Sequence, residues 1–506
     1  MSTYDITAPT SIDQLVPVDL RLVRAAQERW ADVPVDRRMR LFRAIRHDVA
    51  ERAQELAATV PLQLPGQLHR TLADTLACEV LPLADACRYL ERTAGRLLAP
   101  VRELARLRPL WLGGVSVETR REALGVVLII GPGNYPLFLP GAQALQALAA
   151  GNAVLWKPAP GGASAGRALR ALMVANGLHP VLLTVLDEST EAAHAAMDAG
   201  VDKVVLTCSA ATGRAVLRRL AEDLTPAVME LSGCDAVFVL EGADLERVVE
   251  AVAFGLRFNG SSTCIAPRRL ILSDSLADTI APRLIKALRQ LPPVRVPHAS
   301  RQLLSGLVEE ALLLGAQVLL RGQPAGLETG LDNNGLQSSN GLGATLIDHG
   351  TPQMRAACTD IFAPLLTILR AGNEHAMLDV HRQCPYALTA SVFGPERKAR
   401  AFADRIHAGT VLINDVLVSS ADPRVSFSGR GMSGFGATRG AAGLLEMTAI
   451  KSVIVQRSRS RRAWQPTTDA HAGFFAAFLC CVHGKGWRSR LKGLLSLVTS
   501  ARRLNS

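Results

Sequence analysis

The apolar positions change period twice along the chain, and the changes mark its architecture. Between about residues 20 and 106 they recur at helical spacing among charged residues, as in Leu41, Ile45, Val49 and then Ala53 and Leu56, which predicts a helical N-terminal region. Residues 115–119 then alternate, and residues 126–130 run apolar without a break, the patterns of a half-buried and a fully buried strand. Further apolar runs at 153–156, 181–185, 203–206 and 227–231 are separated by helix-forming stretches at 140–149, 165–176 and 213–222. This rhythm is βαβ and predicts a doubly wound parallel sheet. A second series of strands, at 236–240, 269–272, 317–320 and 365–369, follows Glu230, so two α/β domains are expected to meet near residue 231. The Gly/Asn/Ser-rich piece 323–343 reads as an exposed loop.

Composition narrows the class. With 506 residues, 48% of them hydrophobic and 20% charged, the chain has material for two or three packed domains and is too apolar to be disordered. Only 4% of the residues are aromatic, so the core is mostly aliphatic, which with the abundant good helix formers points to α/β rather than all-β. The nine cysteines lack any repeated CxxC or Cys/His spacing, so no metal site is expected and a reducing compartment suits them. The N-terminus carries no basic and apolar leader, and no run of about 18 apolar residues occurs, which predicts a cytoplasmic protein without a spanning helix.

The net charge of +11 looks like a nucleic-acid signal until it is located: residues 457–506 hold ten Lys/Arg against Asp469, leaving +2 for the rest. A near-neutral body with one basic tail argues against nucleic-acid binding by the body. In that tail Trp487, Leu491, Leu494, Leu495 and Val498 share one helical face among Arg488, Arg490, Lys492, Arg502 and Arg503. An apolar stripe flanked by bases suits peripheral contact with an anionic membrane; packing on the protein's own surface or on a neighbouring subunit is the other reading.

Candidate chemistry begins at Cys264, in Phe258-Asn259-Gly260-Ser261-Ser262-Thr263-Cys264-Ile265-Ala266-Pro267. A cysteine alone is more often a small buried hydrophobe, as Cys480-Cys481 in their apolar run are read. Here small and polar residues before the thiol leave room for a substrate, and Pro267 fixes the chain after it. Glu230, in Val228-Met229-Glu230-Leu231-Ser232-Gly233-Cys234-Asp235, lies 34 residues earlier at a strand end. After the buried strand at 126–130 comes Gly131-Pro132-Gly133-Asn134-Tyr135-Pro136, which begins like a dinucleotide fingerprint but ends in Pro. Asn134 in such a segment also suits a simple turn. Lys157 ends the strand Asn152-Ala153-Val154-Leu155-Trp156-Lys157, a place where a lysine is usually a surface charge. Thr207-Cys208-Ser209-Ala210-Ala211-Thr212-Gly213 and Asp360-Ile361-Phe362-Ala363-Pro364 complete the set.

In this order the segments resemble the motifs of the aldehyde dehydrogenase superfamily over about residues 20–456. The resemblance implies two doubly wound α/β domains with a small β oligomerisation arm. It sets a cofactor-binding domain at 1–231 with an oligomerisation hairpin near 110–125, a catalytic domain at 232–440, a return segment at 441–456 and the basic extension at 457–506. It also implies an NAD(P)-dependent, non-acylating enzyme that forms a homodimer or homotetramer and acts on a small-molecule aldehyde substrate. Cys264 is then the nucleophile, Glu230 the general base and Asn134 the oxyanion donor, with Lys157, Ser209, Asp360 and Phe362 at the NAD or NADP. Ser232, Cys234, Gly133 and an Asp at 360 depart from the family pattern. Pro160 stands where many NAD-preferring members carry a ribose-binding Glu, which leaves room for NADP. Ala142, where some members place a bulky aromatic, implies a wide pocket for medium-chain or aromatic aldehydes. A coenzyme A-dependent acylating enzyme is the nearest rival, but such relatives typically lack the glutamate base. A non-catalytic scaffold relative is the rival of another class.

Overall fold

The computed structural model describes residues 19–61, 63–64, 67–325, 341–459, 464 and 466–505. The chain divides into two units, Met1–Pro100 with Arg120–Lys451 and Val101–Thr119 with Ser452–Ser506.

The first unit opens with helices α1 (Leu20–Ala31), α2 (Val35–Glu51) and α3 (Leu81–Leu97), as the helical period predicts. Phe42, Ile45 and Val49 of α2 are buried, which is the apolar stripe read from the sequence. A π-helical stretch, Leu76–Val80, precedes α3 and carries the buried Glu79. Next come β1 (Val126–Ile130), α4 (Phe138–Ala150), β2 (Ala153–Lys157), α5 (Ala163–Ala175), β3 (Leu183–Val185), α6 (Thr190–Asp198), β4 (Lys203–Thr207), α7 (Ala210–Leu220) and β5 (Ala227–Glu230). The apolar run at 181–185 is only partly strand, because residues 180–182 form a 3₁₀ turn.

The strands β1 to β5 form one parallel sheet in the order 5-4-1-2-3. Its register pairs Ile130 with Lys157, Ile130 with Leu206 and Thr207 with Glu230, so the carboxyl ends of four strands lie side by side. Strand order reverses at β1, and ligands of open α/β sheets bind at the carboxyl ends beside such a reversal. A short strand, Gly434–Phe435, adds antiparallel to β5 with Gly434 opposite Glu230. The first sheet is thus completed by residues far beyond 231, a long-range pairing that local periodicity does not reveal.

Between Glu230 and Asp235 the chain crosses into a second sheet, built from β6 (Asp235–Val239), β7 (Pro267–Leu272), β8 (Gln317–Leu320), β9 (Thr345–Asp348), β10 (Leu365–Arg370), β11 (Thr389–Phe393) and β12 (Thr410–Ile413). The order is 8-9-10-7-6-11-12, parallel except for β8. Helix α8 (Leu245–Arg257) joins β6 towards β7, and its N-cap Asp244 accepts from the backbone N–H groups of Glu246 and Arg247. Most of the expected exposed loop at 323–343 lies outside the described residues; its ends, Pro324–Ala325 and Gly341–Leu342, pair as short strands.

The second unit contains Val101–Arg102 and the parts of Val115–Ala123 and Thr448–Gln456 that fall within its bounds, strands of a three-stranded sheet with Val115–Ala123 in the middle. It also holds two helices, α9 (Asp469–His483) and α10 (Gly486–Asn505). A Cβ on Gly493 would meet the Cys481 backbone nitrogen at 2.3 Å, so glycine lets the two helices touch. Trp487, Leu491, Leu494, Leu495 and Val498 of α10 are exposed. No helix among the described residues is long and apolar enough to cross a membrane.

Candidate active site

Within the first unit, Cys264 lies just ahead of β7, whose first residue pairs with Asp235 at the start of β6. It ends a loop in which three successive residues, Asn259, Gly260 and Ser261, have φ of 51°, 57° and 62°. L-residues resist this left-handed region, and asparagine and glycine enter it most readily. Two buried arginines pin the turn. Arg268 donates to the Ser261 carbonyl at 2.6 Å, the Ser261 hydroxyl at 2.9 Å and the Ala363 carbonyl at 2.6 Å. Arg70 donates to Asn259 Oδ1 at 2.6 Å and to the Asn134 carbonyl.

Glu230 reaches the same place from the end of β5. Close approach of its segment to the cysteine loop requires Gly233, where a Cβ would stand 2.4 Å from the Cys264 carbonyl oxygen. Cys264 and Glu230 line one cavity of about 320 Å³, together with Tyr135, Phe254, Phe427 and Arg439. Glu230 is 4% exposed, and its Oε2 accepts from the Thr438 hydroxyl at 2.6 Å. Burial raises its carboxyl above the ordinary range, against the opposing pull of Arg439 and Thr438. Burial also pushes the Cys264 thiol well up, with Glu230, Asp235 and Asp360 acting in the same direction and Arg439 against them. A thiol and a carboxyl, each raised by burial, therefore share the cavity.

Asn134 sits behind the loop rather than among the cavity-lining residues. Its Nδ2 donates to the Ser262 carbonyl at 2.8 Å, which leaves one amide N–H for another acceptor. Its neighbour Tyr135 does line the cavity and shares a 2.8 Å hydrogen bond with Thr263 Oγ1. The salt-bridged pair Arg70 and Glu79 fastens this segment: Glu79 Oε1 accepts from Arg70 at 2.5 Å, and its Oε2 accepts from the backbone N–H groups of Leu137 and Phe138 at 3.1 and 2.6 Å. Negative charge there also complements the N-terminus of α4.

Lys157 ends β2 and is 8% exposed, and its ammonium has no hydrogen-bond or ion-pair partner among the described residues. Burial lowers its pKa. Such an ammonium needs oxygen acceptors. Ser209 caps α7 by accepting from Thr212 N at 3.3 Å, opening a helix N-terminus at the same sheet edge. These features fit a dinucleotide, whose ribose hydroxyls and pyrophosphate are the acceptors required. The Asp360 carboxyl hydrogen-bonds Ser232 and is raised by burial, while Phe362 is half-buried beside it. Ala142 does not line the Cys264 cavity; it faces a neighbouring cleft with Pro82 and Phe138, so the expected widening at this position is not found there.

Residues 17–453 match the aldehyde dehydrogenase family. The chain belongs to that family. Among curated relatives, it is 28% identical over 492 residues to a 4,4'-diapolycopene aldehyde oxidase from Methylomonas, covering 94% of this chain and 89% of the relative. It is 29% identical over 456 residues to an NADP(+) succinate-semialdehyde dehydrogenase from Deinococcus radiodurans, covering 87% and 90%. Among solved structures, the NADP-dependent glyceraldehyde-3-phosphate dehydrogenase of Bacillus halodurans, complexed with NADP, superimposes with a TM-score of 0.75 at 26% identity, covering 87% and 90%.

Three groups at this candidate site carried no signal in the sequence: Arg439 and the Arg70–Glu79 pair. Each is an ordinary charged residue in a segment without a motif, and only its burial sets it apart. Asp235 lies within the Glu230 segment, but nothing there marked it as a buried acid.

Proposed function

We propose that this chain oxidises an aldehyde to a carboxylic acid with NAD or NADP, using Cys264 as nucleophile, Glu230 as base and the Asn134 amide with the Cys264 backbone N–H as oxyanion donors. What supports this most directly is that the thiol and the carboxylate line the same largely apolar cavity. Burial raises the Glu230 carboxyl and so makes it a stronger base than a solvated carboxylate, and its proposed role is to accept the Cys264 proton and free the sulfur to bond the aldehyde carbon. The spare Asn134 N–H stabilises the oxygen as it gains charge. A nicotinamide bound at the sheet edge supplies the acceptor for the aldehyde C–H as hydride, and Lys157, Ser209, Asp360 and Phe362 are the residues to hold that cofactor. The acyl group is then joined to Cys264 Sγ. Glu230, its first proton given up to solvent, takes a proton from water as the new C–O bond forms, and returns that proton to the sulfur as the C–S bond breaks, releasing carboxylic acid and thiol. Replacing Cys264 with Ser tests the assignment: turnover should vanish with cofactor binding retained, and near wild-type turnover would overturn it.

The lining suits an extended apolar or aromatic aldehyde. The sheet around Val115–Ala123 is proposed as the arm that pairs subunits in a homodimer or homotetramer, and the enzyme as cytoplasmic. The exposed apolar face of α10, among the exposed bases Arg488, Arg490, Lys492 and Arg502, supports peripheral attachment to an anionic membrane. Sedimentation with anionic liposomes, comparing the full chain with one ending at Arg457, tests this. Equal recovery of both in the supernatant at low salt would rule it out.

A further inference from the structure

Arg439 is held at a cost in three separate ways. Its backbone lies at φ 60°, ψ 177°, a region that side-chain-bearing residues scarcely visit. Its guanidinium is 8% exposed, and its Nε has no hydrogen-bond partner. Its contacts are a 2.8 Å hydrogen bond from Nη1 to the Ser420 carbonyl and the faces of Phe427 and Phe138, with ring centroids 4.6 and 5.8 Å away. A neutral residue at this position would avoid the buried charge, and a glycine would avoid the strain. Strain, a buried charge and an unpartnered donor on one side chain beside a reaction centre point to use rather than to stability.

The position shows what the use is. Among the described residues lining the Cys264 cavity, Arg439 is the one cation and Glu230 the one carboxylate. The other charges around Cys264 come from Asp235 at the start of β6, Asp360 ahead of β10 and Arg268 on β7, with neutral Tyr135 and Cys78 beside them. Arg268 spends its donors on Ser261 and Ala363 under the loop. Three carboxylates thus oppose a thiolate at Cys264, and within the cavity Arg439 alone opposes them.

We infer that Arg439 is the counter-cation of this reaction centre, a positioning residue that makes the Cys264 thiolate and the Glu230 carboxylate attainable in one apolar cavity. The inference rests on the roles proposed for Cys264 and Glu230. It adds that the two anions depend on a cation lying outside every recognised motif.

The test reads the thiol directly, without turnover. Alkylation of Cys264 by iodoacetamide is followed by peptide mass as a function of pH in the full-length protein, for wild type, Arg439→Lys and Arg439→Gln. The Gln variant should need about one pH unit more, reacting about tenfold slower below the midpoint, and the Lys variant should stay near wild type. A folded Gln variant with the wild-type profile would overturn the inference, since loss of the Ser420 bond and of ring stacking alone does not move a thiol titration. Should Arg439→Gln fail to fold because the buried Glu230 charge is left uncompensated, the same change is made in a Glu230→Gln background. There it should again raise the midpoint, and identical profiles with and without Arg439 would contradict the proposal. A shift at Cys264 in a protein whose Cys264→Ser variant still turns over would instead overturn the nucleophile role proposed for Cys264 and leave the charge coupling standing.

Discussion

A thiol and a carboxylate facing one apolar cavity oppose each other's ionisation, and most of what is specific to this site follows from that opposition. With both groups raised by burial, turnover should climb from acid towards alkaline pH, as first Glu230 and then Cys264 lose protons. Asp235 carries the same tension into stability. It is pushed up to about 7 by burial, against hydrogen bonds donated by Thr389 N and Oγ1 at 3.1 and 2.7 Å. Because its folded value lies above the unfolded one, its contribution is complete below about pH 3.8 and is lost as pH rises to about 7. Asp235→Asn should therefore flatten the fall in denaturation midpoint between about pH 4 and 7, a difference of a few kcal/mol at about 1.4 kcal/mol per pKa unit. An unchanged slope would show that Asp235 is ionised throughout. Cofactor choice is also a residue-scale question. Pro160 is exposed, but Glu188 accepts from the N–H groups of Gly161 and Ala163 at 2.7 and 2.8 Å and is among the acids near Lys157. A carboxylate there opposes a 2′-phosphate, so Glu188→Gln should shift the kcat/KM ratio of NADP to NAD upward by about threefold to tenfold. No change in that ratio in initial-rate assays would remove Glu188 from the choice.

At the scale of elements, the alternation of strands and helices was legible because buried parallel strands are continuous apolar runs: all five residues of β1 and of β2 are buried. The motifs of Cys264, Glu230 and Lys157 were legible because they end or precede such strands. The pairing of Gly434–Phe435 with β5 was not, since a two-residue strand has no period, and the clamp of Arg70 and Glu79 was not, since its partners are up to 189 residues apart. Arg70 and Glu79 are 2% and 0% exposed, so removing one charge strands the other. Arg70→Met should lower stability by about 3–5 kcal/mol in denaturant titrations and cut kcat more than it raises KM, because it frees both Asn134 and the cysteine loop. A stable variant with unchanged kcat would show the pair to be incidental to the chemistry.

For the whole molecule, the two sheets bring the carboxyl end of β5 against the amino ends of β6 and β7, and the reacting groups come from that junction. The proposed chemistry is a sequence of two half-reactions on the Cys264 sulfur, acylation and then hydrolysis, the second assigned to Glu230. The most direct test is therefore rapid-mixing of the Glu230→Gln variant with saturating aldehyde and cofactor, with NAD(P)H followed by absorbance and Cys264 followed by intact-peptide mass. The account predicts a burst of about one NAD(P)H per site, an acyl adduct on Cys264, and a steady state slowed at least tenfold. Wild-type steady-state turnover with no burst and no adduct on Cys264 would contradict it.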